Sequence, residues 1–433
     1  MQRAASGPPR PPTRLIGREK QLAAVCRRLK GATAVPLLTL TGPPGTGKTR
    51  LAQAAAEALR AVYAGDVTFV PLASLDDAAM VLPALRQALG LIQAVGKAPE
   101  TVLAEALRDR HLLIVLDNFE QLLGAGHALA TLLGVCPKLH LLVTSRVRLG
   151  LYGEHEFPVL PLQLPPDLAP VADHERGALD RLVASEAVQL FLERARCVRP
   201  DFVLSAANAN DIVDICRRLD GLPLAIELAA ARVKLLPPRT LLSRLDHGLA
   251  LLTGGPRDLP ERQRTLCGAI AWSYDLLTPA EQTLFRHLGA FVGGCTLDAV
   301  EATVPSSVEQ EATLGLLTAL ADHSLIRQQE GDDGQPRFWL LETLLEFARE
   351  RLVLNEHGAA DTYRAMGMRA FVANEATQAR ELLERSLVLN RRLGDAPGRG
   401  HRSRRGGYLV GRHRRPGSCL GYQALLTLKP RVR

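Results

Sequence analysis

Long apolar runs are missing from this 433-residue chain. Nothing in it approaches the roughly 18 uninterrupted apolar residues of a membrane span, so no membrane association is expected. Aromatic residues are scarce, 4% against 47% hydrophobic in all, which suits helix-rich domains packed by aliphatic side chains. The opening stretch MQRAASGPPRPPTR has no apolar segment behind its basic residues, so no secretory signal is read there. The seven cysteines (Cys26, Cys136, Cys197, Cys216, Cys267, Cys295 and Cys419) form no C-x-x-C pair and are odd in number. They read as reduced thiols, and the expected location is cytoplasmic. The eleven histidines supply no H-E-x-x-H or paired-ligand spacing, which leaves a metal-enzyme reading without support. Acidic residues are absent from Ala396 to Arg433, where ten Lys or Arg stand. The whole chain carries +8, so the part before that tail is left at about −2. A nearly neutral body does not read as a nucleic-acid-binding surface.

What is present falls into blocks. Residues 1–13 are rich in Pro, Gly and Ala and read as a disordered leader. From 14 to 165, strand-like and helix-like segments alternate: Val35 to Thr41, a helix from Lys48 to Leu59, then Asp66 to Val70, Leu112 to Leu116 and Leu139 to Thr144 as further buried strands. Such alternation implies a mostly parallel α/β sheet covered on both faces. Residues 166–255 read as a helical domain, with amphipathic stretches at Ser185 to Val198, Ala207 to Leu219 and Leu222 to Leu235. After the break at Gly254, Gly255 and Pro256, residues 256–355 show three helical stretches. A hairpin follows, Ser324 to Gln329 and Arg337 to Leu341 about a turn at Gly331 to Gly334, which is the outline of a winged helix. Residues 356–395 are again helical, and 396–433 read as a basic disordered tail.

One motif carries explicit chemistry. Gly42-Pro43-Pro44-Gly45-Thr46-Gly47-Lys48-Thr49 fits G-x-x-x-x-G-K-[ST] at every position, between an apolar strand and an amphipathic helix. Glycines let the backbone curl so that several N–H groups face phosphate oxygens. Lys48 supplies a point charge for the β and γ phosphates, Thr49 offers a hydroxyl to Mg²⁺, and the helix N-terminus adds its dipole. The expected ligands are therefore ATP or ADP with Mg²⁺.

A second strand, Leu112 to Leu116, ends in Asp117, placed to hold the metal with Thr49. Asn118 follows, and a primary amide cannot act as a general base, so fast hydrolysis is not expected. Glu120 is a candidate for that role, with a solvated carboxylate at a helix start as the competing reading. A third strand ends in Thr144-Ser145-Arg146, where a guanidinium could sense the γ phosphate or simply lie on the surface.

These pieces together resemble the STAND class, the signal-transduction ATPases with numerous domains. Leu15-Ile16-Gly17-Arg18-Glu19 resembles that class's h-h-G-R-E motif, and Leu116-Asp117-Asn118-Phe119-Glu120 its L-D-N-F-E. Gly221 to Arg232 (GLPLAIELAAAR) is very similar to its G-L-P helix. Arg264-Thr265-Leu266 with Trp272 to Leu277 (WSYDLL), and Leu341 to Ala348 (LETLLEFA), match as well. The combination spans about residues 13 to 355. It is most similar to the NB-ARC-like ATPases of LuxR-type and antibiotic-regulatory bacterial transcription factors. The resemblance implies a nucleotide-binding domain, a helical domain, a winged helix and a superhelical repeat sensor. It places Ile16 and Arg18 near adenine and Pro223 near the base or ribose.

The resemblance also implies an ATP/ADP-driven regulatory switch in signal transduction or transcriptional regulation. Exchange and slow hydrolysis would control domain docking, in response to a protein or small-molecule signal and with ATP-dependent self-association. A DNA-binding regulator acting through the winged helix and basic tail is the alternative. There are departures. Leu341 stands where plant and animal relatives carry a phosphate-contacting His, so that contact is not expected. Met368 to Asp395 resembles one tetratricopeptide repeat, and one repeat cannot bury its own apolar face. For the tail, nucleic-acid contact, a solvated tail without a role, and a truncated or frameshifted product all remain open, the abrupt loss of the repeat pattern favouring the last.

Overall fold

The computed structural model describes residues 13–31, 33–92, 98–165, 176–245, 252, 264–291, 293–301, 313–331, 334–354, 363, 380 and 382–388. Residues 1–12 of the leader, the Gly254–Pro256 break, the tail at 396–433 and most of the repeat-like stretch at 356–395 lie outside those residues.

Four runs rich in β-branched and aliphatic residues and one polar edge segment form one parallel sheet: β1 (Leu37–Thr41), β2 (Val67–Pro71), β3 (Leu112–Asp117), β4 (Leu139–Thr144) and, at the edge, β5 (Glu154–Pro158). Their order across the sheet is β2-β3-β4-β1-β5. Strands β1, β3 and β4 are buried on both faces, as a central parallel strand must be when helices cover each side. Side-chain alternation sorts the core. Leu112, Ile114, Leu116, Leu141 and Val143 face one cluster, and Leu113, Val115, Leu142, Leu38 and Leu40 face the other.

The second cluster is completed by α1 (Glu19–Arg28) and by α2 (Lys48–Leu59), whose Leu51, Ala52, Ala55, Ala56 and Leu59 repeat at helical spacing. The first is covered by α3 (Val81–Ala88), α4 (Pro99–Leu107) and α5 (Gly126–Val135). Strand β5 has no counterpart in the apolar pattern. It is an edge strand whose only buried residue is Phe157, so its sequence EHEFP reads as polar.

Beyond the sheet come α6 (Arg176–Val183), α7 (Glu186–Val198), α8 (Ala206–Arg218), α9 (Pro223–Ala230), α10 (Pro238–Leu245) and α11 (Leu266–Asp275). Several boundaries follow from local chemistry. A capping box of Ser205 and Asn208 opens α8, Pro223 starts α9 at its first turn, and the Thr265 side chain accepts the Gly268 N–H at the start of α11. The apolar stretch read as one helix from Leu222 to Leu235 is α9 followed by a 3₁₀ turn, Ala231–Lys234.

Residues Met1–Leu277, with Leu320–Ile326 and Leu341–Thr343, form one unit. Thr278–Ala319, Arg327–Leu340 and the chain from Leu344 onward form a second. In sequence order the elements after α11 are α12 (Pro279–Leu288), β6 (Cys295–Thr296), α13 (Leu297–Glu301), α14 (Thr313–Asp322), the hairpin β7 (Arg327–Glu330) and β8 (Pro336–Trp339), and α15 (Glu342–Leu354), with the end of α14 and the start of α15 counted in the first unit. A Thr278/Glu281 capping box with Pro279 opens α12. The antiparallel order β6-β8-β7 with these helices is a winged helix. Strand β6 is two residues long, too short for any periodicity to reveal it.

Candidate nucleotide-binding site

The loop between β1 and α2 lies at the carboxyl edge of the sheet, where β1 is flanked by β4 and β5 rather than by its sequence neighbour β2. Ligand crevices of open α/β sheets open at such a switch point. Gly42 adopts φ 147°, and a Cβ there would stand 2.6 Å from the Val159 carbonyl oxygen. Gly47, at φ 89°, leads into α2 from the left-handed region. A side chain would be obstructed at the first position and strained at the second.

Lys48 curls back over this loop, its Nζ donating to the carbonyls of Gly42 at 2.6 Å and Pro43 at 3.0 Å. Burial, then the Arg146 charge, lowers its pKa to about 7, against the pull of Glu120 and Asp117. Burial thus disfavours the ammonium form in this loop, and an anion brought against Nζ would restore it.

Asp117 closes β3 and is buried. Its Oδ1 accepts from Thr49 Oγ1 at 2.8 Å and from Thr144 Oγ1 at 2.6 Å. Burial raises its pKa, and the two hydroxyl bonds work the other way. Thr49 and Asp117 are hard oxygen donors in direct contact, the type of pair that fits Mg²⁺. Thr144 escaped the sequence reading. It also accepts the Asn118 N–H at 2.9 Å, which helps hold Asn118 at φ 64°. Asn tolerates the left-handed region better than Glu does.

Glu120 is not a solvated carboxylate, and Arg146 is not a surface arginine. They form a buried ion pair, Arg146 Nε to Glu120 Oε1 at 3.1 Å, with side-chain exposures of 9% and 2%. The chain turns inward after Asn118, packing Phe119 in the core and carrying Glu120 under the loop edge, which a strand-end pattern could not reveal. Glu120 Oε2 is buried with no hydrogen-bond partner among the described residues.

Arg18 donates to the carbonyls of Thr46 at 2.8 Å and Leu160 at 2.5 Å, and to Gln21. It thus buttresses the glycine loop from beneath, and burial lowers its pKa to about 10. Ile16 lines a cavity of about 530 Å³ with Leu179, Val183 and Leu192. Pro223 and Leu224 lie against the loop: the Leu224 N–H donates to the Gly45 carbonyl at 3.1 Å, and the Pro223 ring is 3.9 Å from where a Gly47 Cβ would be. The fold therefore gathers Lys48, Thr49, Asp117, Glu120, Arg146, Arg18 and Pro223 around one loop, and Leu341 is buried near α15's start.

Comparison with known proteins accords with this construction. Residues 14–204 match the family model described as "AAA ATPase domain", and 277–353 match "Winged helix-turn-helix domain". Fold and site define a nucleotide-binding P-loop ATPase domain joined to a winged helix. The chain is 40% identical over 331 residues to the "Putative HTH-type transcriptional regulator Rv0890c" of Mycobacterium tuberculosis, covering 76% of this chain and 35% of that protein. It is 35% identical over 360 residues to the "Uncharacterized protein Rv0894" of the same organism, covering 82% of this chain and 84% of that one. The chain belongs to the family of these relatives and itself joins an AAA ATPase domain to a winged helix-turn-helix domain; it spans about a third of the length of the regulator relatives it matches. A solved structure of a "Signal Transduction ATPase with Numerous Domains (STAND) protein with a tetratricopeptide repeat sensor" from Pyrococcus horikoshii superposes with a TM-score of 0.34 at 15% identity. That match covers 89% of this chain and 55% of the other, and is too distant to carry weight.

Proposed function

We propose that this chain is an ATP/ADP-binding regulatory switch in signal transduction or transcriptional control, in which nucleotide exchange and slow hydrolysis govern domain docking. The observation that carries this reading is the buried Glu120–Arg146 pair beside an Asn118 that cannot act as a base. With Asn118 in the place after the strand-end Asp and Glu120 tied to Arg146, no carboxylate among the described residues is placed to activate water promptly.

In this reading the backbone of Gly42 to Gly47 cradles the phosphates, Lys48 neutralises the β and γ groups, and Thr49 with Asp117 would hold Mg²⁺, which supplies charge neutralisation on the phosphate oxygens. Arg146 faces the terminal phosphate, and Glu120 is a second catalytic candidate once released. Pro223 borders the base, supported by its seat on the loop; Ile16 is assigned there by the family resemblance alone, since the cavity it lines includes neither Pro223 nor a residue of the glycine loop. The role of Arg18 is to hold the loop through Thr46. We place the protein in the cytoplasm, in keeping with the six free cysteines among the described residues. No described helix is long and apolar enough to cross a membrane. A protein or small-molecule signal and ATP-dependent self-association complete the proposal. Denaturing the purified protein and chromatographing the supernatant tests it: bound ADP or ATP is expected, and recovery of no adenine nucleotide from protein that also fails to bind ADP would refute it.

A DNA-binding regulator is the second reading, favoured by the winged helix-turn-helix match at 277–353. Helix α14, TLGLLTALAD, carries no Lys or Arg, which weighs against groove reading by that helix. Duplex DNA affinity that falls steeply with salt would restore this alternative.

A further inference from the structure

Arg146 does more than pair with Glu120. Its Nη1 donates to the Ala269 carbonyl at 3.2 Å, and its guanidinium carbon lies 4.3 Å from the ring centroid of Trp272. Ala269 and Trp272 are three residues apart on α11, and so lie on one side of that helix. The arginine is almost wholly buried, and a guanidinium seated on an indole in that setting is held by an interaction that water screens little.

We propose that Trp272 is a positioning residue for Arg146, and that α11 through it reads whether a terminal phosphate is present at the glycine loop. The proposal rests on the reading of Arg146 as the phosphate-facing arginine. A guanidinium plane can satisfy only so many partners at once. A γ phosphate is a stronger acceptor than a neutral carbonyl or an aromatic face, and it competes with Glu120 on more than equal terms. ADP leaves Arg146 on its indole seat; a triphosphate draws it off and frees the Trp272 face of α11.

Trp272 can report on itself, because Trp339 is the only other tryptophan. In the full chain carrying Trp339→Phe, Trp272 emission and acrylamide quenching are compared with ADP and with a non-hydrolysable ATP analogue plus Mg²⁺. Equilibrium dialysis of labelled nucleotide confirms saturation. The analogue is expected to shift emission and increase quenching while ADP leaves both as in the nucleotide-free protein, and Arg146→Lys should abolish the difference. In a second arm, Trp272→Leu removes the competing seat and raises the analogue-to-ADP affinity ratio by roughly threefold or more, whereas Trp272→Phe keeps an aromatic face and stays near the parent ratio. Movement in either arm supports the proposal, and silence in both overturns it. If Arg146→Lys itself leaves the affinity ratio unchanged, the phosphate reading of Arg146 fails as well. If Arg146→Lys lowers the ratio while both Trp272 arms are silent, only the role of Trp272 fails.

Discussion

The hydroxyl of Thr49 donates to the carboxylate of Asp117 across 2.8 Å, joining the first turn of α2 to the end of β3 although 68 residues separate them. In the proposed reading that contact forms the Mg²⁺ site. Thr144 bonds the same oxygen from the adjacent strand. Asp117→Asn keeps the volume and removes the charge that would hold Mg²⁺. Nucleotide binding in EDTA should survive, and the gain in affinity on adding Mg²⁺ should vanish. A preserved Mg²⁺ increment, read by titration calorimetry with and without EDTA, would assign the metal to another carboxylate.

Lys48 gives a pH signature. Its pKa falls from 10.5 to about 7 in the ligand-free fold, chiefly through burial. The unfolded chain then binds more protons between about pH 7 and 10.5, so this group's contribution to stability rises with pH across that window. A bound polyphosphate restores the ammonium, so ADP binding at pH 8 should take up as much as one proton and weaken further as pH rises. Calorimetry in two buffers of different ionisation enthalpy measures the uptake. Lys48→Ala should remove both the uptake and most of the affinity in a chain that still folds; tight ATP binding by that variant would refute the loop assignment.

Steady-state turnover should lie below the ordinary enzyme median of about 10 per second. Asn118→Glu should not raise it much, since a Glu at φ 64° is strained by about 1 kcal/mol or more and its carboxylate is not positioned by that backbone. Phosphate release at or above the median without any partner would sink the switch reading.

Arg18 supports the loop through a fork, two carbonyls and one amide at once. Hydrogen bonds from a charged donor contribute about 1.5–3 kcal/mol each, so Arg18→Ala should weaken ADP binding by on the order of tenfold and lower the melting temperature. Arg18→Lys should not rescue, because an ammonium cannot span Thr46 and Leu160 in one plane. Full affinity in Arg18→Lys, measured by ADP titration alongside a thermal melt, would show that charge alone suffices.

Much of the site was legible because its chemistry is local in sequence. The eight residues from Gly42 to Thr49 carry the geometry of their own loop, and the apolar run ending in Asp117 declares a buried strand with a carboxylate at its end. The winged-helix hairpin was legible from two short runs about a Gly-bounded turn. By contrast, β5 keeps only Phe157 inside, and β6 is two residues long, so neither leaves a period to read.

The amino-acid sequence alone determined the parallel α/β domain, the phosphate loop and Asp117, because backbone freedom, side-chain period and strand-end position are properties of contiguous residues. Only the tertiary structure decided the partners of Glu120 and Arg146. Their pairing depends on how the chain turns after β3 and β4, and the seat of Arg146 on Trp272 joins residues 126 positions apart. Contacts of that separation arise from packing, in which burial leaves each charge no stable choice except the partner the fold brings to it.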